Sequence, residues 1–472
     1  MGDAAVRGEG EYVLYWMTAF RRARYNFALQ HAVEWARELD RPLVIFEGLR
    51  VGYRWASDRL HQFVFDGMRD NAAAFAEHRV TYYPWFEREV GEGRGLLEAW
   101  ARRAAIVITD DYPCFFLPRM IAAAGATLDT RLEAVDGNGL LPLHAVDKVY
   151  KRAVDMRRFI QKHVLTHLED VPLADPLVDV DLPVLDRVPT DIADRWPAAS
   201  PDSLDDPATL AALPIDHEVP TVSYRGGSRA AAEQLETFLD RRLDRYLDDR
   251  LDYEERASSE LSPWLHYGHL SAHEVFGRII ERERWQPADT AERVRGQREG
   301  WWGMSEVSEA FLDELVTWRE LSFNTSARLA DYDSYDSLPE WAKATLAEHA
   351  DDPREHLYDL ETFERADTHD EVWNLAQIEL RKSGRIHNYL RMLWGKKILH
   401  WSSSPREAFA IMVELNNKWA VDGRDPNSYG GIAWVLGRYD RPWGPERPIF
   451  GKVRYMTSEA TRRKMKLRGL LR

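Results

Sequence analysis

The feature that most restricts this chain is a change of hydrophobic period part-way along it. Up to about residue 165, apolar runs of strand length alternate with segments of helical spacing. Residues 12–17, 42–46, 80–83 and 105–109 read as buried strands, and residues 27–36 carry a helical pattern between the first two. This alternation predicts a Rossmann-like α/β domain, a parallel sheet with helices on both faces. From about residue 230 onward helical patterns with short Gly/Pro breaks dominate, strongest over 230–247, 310–323, 372–382 and 405–416, which predicts an all-α second part. Nine of the 23 prolines fall between residues 171 and 220, in an Asp-rich segment without period. That composition suits an extended acidic connector. A chain of 472 residues is too long for one core. The expected division is an α/β domain over 1–165, a Pro-rich linker over 166–228 and a helical domain over 229–472.

Several chemistries fall away. No strand leads into a Gly-x-Gly-x-x-Gly or Walker-type loop, so the α/β part carries no dinucleotide or P-loop fingerprint. Cys114, the chain's one cysteine, permits no internal disulfide and cannot build a four-cysteine iron–sulfur centre or a cysteine-rich zinc site, and no metal is expected. Residues 1–7 show no apolar signal core, and no long uncharged apolar run occurs. A reducing, cytoplasmic setting is the default expectation.

The net charge of −15 is divided unevenly. Residues 381–472 hold 20 Lys/Arg against 7 Asp/Glu, a net +13, while residues 1–380 carry −28. A basic final fifth on an acidic chain is either a solvated tail or a surface for a phosphate backbone. Trp394, Trp401, Trp419, Trp434 and Trp443 lie inside the basic stretch, and aromatic faces among cations are what stacking of nucleic-acid bases requires.

Two segments concentrate chemistry. In residues 372–401, Trp394 and Trp401 are seven apart, which on one helix puts them on one face, about 10 Å apart along the axis. Indoles so spaced either fill a core or relay an electron. Residues 415–434 are dense in Asn and Asp and interrupted by Gly and Pro, which predicts a turn-rich loop, able to wrap a polar ring or to form an ordinary Asx-turn cluster.

The string Asp422-Gly423-Arg424-Asp425-Pro426-Asn427, followed by Trp434, Asp440-Arg441, Trp443, Glu446-Arg447 and residues 450–456, resembles the C-terminal signature of the class II cyclobutane pyrimidine dimer photolyases, within the photolyase/cryptochrome family. Residues 261–268 resemble the family's flavin-loop motif, with Trp264 and Tyr267 where Tyr and Phe are more usual. Phe311-Leu312-Asp313-Glu314-Leu315 with Trp318-Arg319-Glu320-Leu321 resembles its lesion-site helix. The likeness spans roughly residues 240–456. Ahead of it, Ala145-Val146-Asp147-Lys148 is a loose version of the family's Ala-Ser-Asp-Lys.

The resemblance implies a deoxyribodipyrimidine photo-lyase: FAD held in the helical domain, and light-driven repair of cyclobutane pyrimidine dimers in DNA by electron transfer from photoexcited FADH⁻. Tyr246, Arg250, Ser258, Ser259, Leu261 and Ser262 match the segment that holds the FAD phosphates and ribose, and serines at a helix N-terminus suit an anion. Glu260 stands where a neutral residue is commoner, close to the expected pyrophosphate. Arg391 and Asp422 match the pair flanking the isoalloxazine ring, Asn416 the asparagine facing flavin N5, and Asp440 an aspartate nearby. On its residue type alone, Asn416 also suits a helix C-terminus.

For the lesion, Glu314, Trp318, Met392 and Trp434 match the pocket that receives the flipped dimer. Glu314 serves there only if it donates a hydrogen bond, so a pKa raised by burial is part of the expectation. Trp373, Trp394 and Trp401 match the chain that re-reduces the flavin, with Tyr358 as its surface donor, and Arg441, Arg447, Lys452 and Arg454 are candidates for DNA phosphate contact. An antenna chromophore in the first domain, deazaflavin or folate, is compatible with the resemblance, as is an empty site. A monomer is expected. The alternatives are a cryptochrome-type blue-light photoreceptor and a (6-4) photolyase; the neutral Asn416 and the full lesion set speak against the first, and the absence of histidine from that set against the second.

Overall fold

The computed structural model describes residues 4–467. The first three and last five residues, which include the outer limits of the expected first and last domains and the end of the basic stretch, lie outside the described residues. The chain divides into two compact units, one comprising residues 1–143, 166–235 and 261–278, the other 144–165, 236–260 and 279–472.

In the first unit, β1 (Tyr12–Met17), β2 (Leu43–Leu49), β3 (Thr81–Phe86), β4 (Ala104–Asp110) and β5 (Leu132–Val135) form one parallel sheet in the order β3-β2-β1-β4-β5. β1 and β4 are buried along their whole length, which is why their sequences are unbroken apolar runs. β5 escaped the sequence reading because it is four residues long and mostly half-buried. The helix expected after β1 runs Phe27–Leu39, and the Asn26 side chain caps it by accepting the Leu29 N–H at 3.1 Å.

The 166–228 stretch is more than a connector. It includes the short helices Thr190–Arg195, Pro201–Asp205 and Pro207–Ala211 and buries Ile192 and Trp196 against the sheet. Leu204, Leu210 and Leu213 join a second cluster with Leu49 and Met68. Composition misled because two of its prolines start helices: Pro201 follows the cap Ser200 and Pro207 the cap Asp206, the position where a missing N–H costs nothing. Residues 144–165, expected in the first domain, belong to the second unit, and 229–235 with 261–278 to the first.

Parallel strands leave a crevice at their carboxyl ends where the order reverses, here between β1 and β4. Asp110 closes it. One carboxylate oxygen accepts the backbone N–H groups of Thr18, Ala19 and Phe20 at 2.8, 2.7 and 2.9 Å, and the other accepts the Tyr15 hydroxyl at 2.7 Å. Donors that could face a ligand phosphate face the chain's own anion, consistent with the missing phosphate-loop signature.

The second unit is helical. Its main elements include Ala153–His167, Glu306–Leu312, Arg319–Arg328, Glu371–Ser383, Asn388–Trp401, Pro405–Trp419 and Pro426–Val435. The expected 310–323 helix exists but is interrupted by a π turn, Asp313–Trp318. The 230–247 pattern ends at Arg241 and resumes as the short helix Tyr246–Asp249. The expected 415–434 loop shrinks to residues 420–425, because Asp425 caps a new helix by accepting the Asn427 N–H at 2.8 Å. Gly430 there marks close approach instead of a turn: a Cβ would fall 2.3 Å from Ser322 Oγ of Arg319–Arg328. No helix among the described residues is long and apolar enough to cross a membrane.

Asp110→Ala would strand three backbone N–H donors and a tyrosine hydroxyl. We expect a loss of roughly 3 kcal/mol of stability, read as a lower denaturant midpoint in urea unfolding.

Candidate functional site

The π turn is the most irregular element of the second unit, and Glu314 and Trp318 both sit on it. π turns inside α-helices concentrate at functional sites. Its first residue, Asp313, is held by Arg157 through two parallel hydrogen bonds of 2.7 and 2.9 Å, with the two side chains only 7% and 10% exposed. Such a fork is the strongest geometry an arginine offers a carboxylate. Arg157 comes from Ala153–His167 and donates also to the Gly296 carbonyl at 3.2 Å.

Glu314 itself is exposed, yet surrounding protein, and next the charge of Asp313, push its pKa above the ordinary carboxyl range, while Arg250, Arg298 and Arg157 pull it back. Tyr246 stands close by: burial and then the charge of Glu314 raise its pKa, and Arg250 lies 5.4 Å from its ring centre. Two residues expected to serve the cofactor thus face the residue expected to serve the lesion.

The other lesion candidates, Trp318, Met392 and Trp434, are all half-buried. Gly395 draws two of their helices together, since a Cβ there would fall 2.6 Å from Val435 Cγ2, next to Trp434. The Trp434 ring has Lys396 Nζ at 5.6 Å and Arg454 Cζ at 5.8 Å from its centre. Lys396 is buried, donates to the Val435 carbonyl, and has its ammonium pushed down to about 7 by desolvation. Sequence reasoning missed it although it adjoins the Trp394 motif, because a lysine in a basic stretch reads as surface.

Arg391 and Asp422 meet at 3.2 Å and are 17% and 12% exposed. Asn416 is buried on the last turn of Pro405–Trp419, with its carbonyl accepting the Ala420 N–H. Glu260, the suspected misfit, is neutralised twice over: its carboxylate lies 3.1 Å from Arg242 and 3.3 Å from Arg385. Arg242 also donates to the Ser258 carbonyl at 3.2 Å. Neither arginine was legible as a site residue, because each partner lies far along the chain.

Leu261 and Ser262 belong to the first unit, Ser258 and Ser259 to the second, and the helix that Ser262 opens has five residues, too few for an appreciable dipole. Asp440 is occupied elsewhere, accepting the Trp443 indole N–H at 3.0 Å and the Arg441 backbone N–H at 2.8 Å. Lys452 is paired with Glu446 at 3.0 Å. Arg441 and Arg454 lie 4.6 and 5.2 Å from the ring centre of the exposed Trp443, and Arg447 lies 5.2 Å from that of Tyr455.

The three relay candidates are buried and contiguous. The Trp373 indole donates to the Trp394 carbonyl at 3.0 Å and its ring centre is 6.3 Å from that of Trp401, which is 5.8 Å from that of Tyr358. The seven-residue spacing of Trp394 and Trp401 is therefore bridged by an indole from a different helix, Glu371–Ser383.

The chain is similar along nearly its whole length to known proteins. It is 34% identical to a deoxyribodipyrimidine photo-lyase of Methanothermobacter thermautotrophicus, an alignment covering 97% of this chain and 93% of the relative. Among solved structures its fold matches a class III photolyase from Agrobacterium tumefaciens (TM-score 0.69, 16% identity, covering 98% of this chain and 85% of the other). It also matches a cryptochrome of Synechocystis (TM-score 0.65, 13% identity, covering 98% and 87%). No protein-family model matches the chain.

The charges around Glu314 act with opposite signs, which makes them separable. Asp313→Asn should lower the pH at which Glu314 titrates, and Arg157→Gln should raise it, followed by the infrared carboxyl band. Arg157→Gln also takes both hydrogen bonds from the Asp313 carboxylate and leaves it Arg298 alone, at 3.9 Å, which should cost about 3 kcal/mol in urea unfolding.

Proposed function

The chain belongs to the photolyase/cryptochrome family, and from that premise we propose that it is a class II photolyase, a light-driven lyase acting on cyclobutane pyrimidine dimers in DNA. The observation that carries this is Glu314: an accessible carboxyl on a π turn, with its proton held above the ordinary range by crowding and by Asp313. A carboxyl with a raised pKa takes up a proton more readily, and in that form donates a hydrogen bond to a dimer carbonyl as negative charge develops there.

The second unit's donor set fits FAD. Arg242 and Arg385 around one carboxylate leave a positive balance beside Ser258, suited to a pyrophosphate. The Arg391–Asp422 pair and the buried neutral Asn416 suit the ring. Bound there, reduced FAD would supply the electron that opens the dimer under light and recover it afterwards. Arg391 would stabilise an anionic ring, and the neutral Asn416 would have no acidic proton to give it. Trp318 and Trp434 take over the stacking that a flipped dimer loses, worth about 1–3 kcal/mol per base. Lys396 and Arg454, beside the Trp434 ring, hold it in place. Trp394, Trp373 and Trp401 would carry electrons to the flavin, Trp373 touching the Trp394 backbone carbonyl on one side and the Trp401 ring on the other. For an antenna ring, deazaflavin or folate, the first unit offers the Trp55–Phe115 stack, 6.0 Å between ring centres.

The lesion assignment is tested by Trp318→Ala and Trp434→Ala. Each should lose most repair under light while the purified protein keeps its flavin absorption; undiminished repair in both overturns the assignment. Arg441→Ala and Arg454→Ala should each weaken DNA binding and flatten its salt dependence by about one unit of slope, followed by fluorescence anisotropy. Lys452→Ala should do less, because Glu446 already neutralises that charge.

A further inference from the structure

The indole chain ends at Tyr358, whose histidine neighbours none of the roles above employs. Tyr358 is pinned to Trp401 twice, its backbone N–H donating to the Trp401 carbonyl at 2.9 Å and its ring meeting the indole edge-on at 5.8 Å. On its far side, the Tyr358 hydroxyl lies 2.8 Å from His369 Nδ1. The same oxygen accepts the backbone N–H of His369 at 3.2 Å. In the tautomer that carries its proton on Nε2, His369 Nδ1 accepts the hydroxyl hydrogen. His356 stacks on His369 with 3.7 Å between ring centres.

We propose that His369 is the proton acceptor for Tyr358, so that the last step in refilling the indole chain is a coupled transfer: one electron from Tyr358 to Trp401, one proton from its hydroxyl to His369 Nδ1. This rests on reading Trp394, Trp373 and Trp401 as an electron relay to a light-excited flavin. The oxidant is the Trp401 radical cation left when an electron has moved inward. Trp401 returns to a neutral indole, Tyr358 becomes a neutral tyrosyl radical and His369 an imidazolium. A one-electron reductant in solution, of the thiol or ascorbate class, restores the phenol as His369 gives the proton back.

Three features favour the step. An oxidised phenol is a far stronger acid than a phenol, so the electron leaves readily only where a base stands within hydrogen-bond reach. Lys397 Nζ, 5.0 Å from the Trp401 ring centre, is offset by Asp370 at 3.6 Å, so the indole radical cation meets no net anion to hold it, while the tyrosyl radical that replaces it carries no charge. His369 is kept neutral, since desolvation first and then His356 and Lys397 hold it below the usual histidine range against the opposing pull of Asp370 and Glu355. His400, on the relay helix Asn388–Trp401, is likewise pushed down, to about 4, by burial. Acceptance should therefore fail only on the acid side of that range.

The test is transient absorption of the flavin-loaded protein after a light flash, in water and in deuterium oxide, comparing wild type with Tyr358→Phe and His369→Gln. Glutamine can still accept the phenol's hydrogen bond but cannot take its proton. In wild type a tryptophan radical should decay into a tyrosyl radical, more slowly in deuterium oxide. His369→Gln should keep the tryptophan radical and slow tyrosyl formation by roughly 10²-fold, and Tyr358→Phe should abolish the tyrosyl signal. Tyrosyl formation at an unchanged rate in His369→Gln overturns the assignment of His369. A tryptophan radical that behaves alike in all three proteins overturns the role of Tyr358 and leaves the relay standing. No tryptophan radical in wild type overturns the relay itself.

Discussion

Buried and half-buried arginine–carboxylate pairs hold the second unit's candidate site in place. A guanidinium taken out of water costs several kcal/mol unless a carboxylate meets it, so each pair ties two elements at fixed distance. Arg157 and Asp313 join Ala153–His167 to the π turn. Arg391 and Asp422 join Asn388–Trp401 to the loop before Pro426–Val435. Glu260 gathers Arg242 and Arg385 from opposite ends of the unit's sequence. Remove these pairs and the helices still have apolar faces, but nothing sets the orientation of Glu314 or Arg391.

The same pairs set the charge of the interior. Arg242, Arg385 and Arg391 outnumber Glu260 and Asp422, which leaves room for an anion, while Asp313 beside Glu314 discourages a second negative charge there. On the proposed reading, one unit thus offers a positive place for a phosphate and, for a carbonyl, a carboxyl whose pKa is raised. On the proposed relay the buried tryptophans have a double role. Trp373 and Trp394 are core by any measure of burial, and core packing is what holds indoles at fixed contact distances.

Elements whose signal is local were legible in the sequence. β1 was read at its full length, and Val372–Lys382 and Pro405–Asn416 lie inside helices one to three residues longer, because apolar period and capping residues lie within each segment. What escaped depends on partners far along the chain. Nothing near Arg157 announces Asp313, and nothing near Glu260 announces Arg242 or Arg385. The prolines at 201 and 207 read as breakers, though in place they begin helices whose leucines fill a core. Gly430 read as a turn residue when its use is to let two helices touch. Among the site candidates, Glu314 with Tyr246 and Arg250, Arg391 with Asp422, and the three indoles are each brought together. Asp440 is drawn to Trp443, and Leu261 and Ser262 fall in the other unit.

The central claim is that this interior turns light into the opening of a fused pyrimidine pair. Its most direct measurement follows the ultraviolet absorbance of an oligonucleotide carrying one thymine dimer, mixed with the purified protein in its reduced state and held in blue light or in darkness. Recovery of thymine absorbance under light and none in darkness is the predicted result. A flavin-carrying protein that binds the damaged strand and leaves its dimer intact under light would contradict the account.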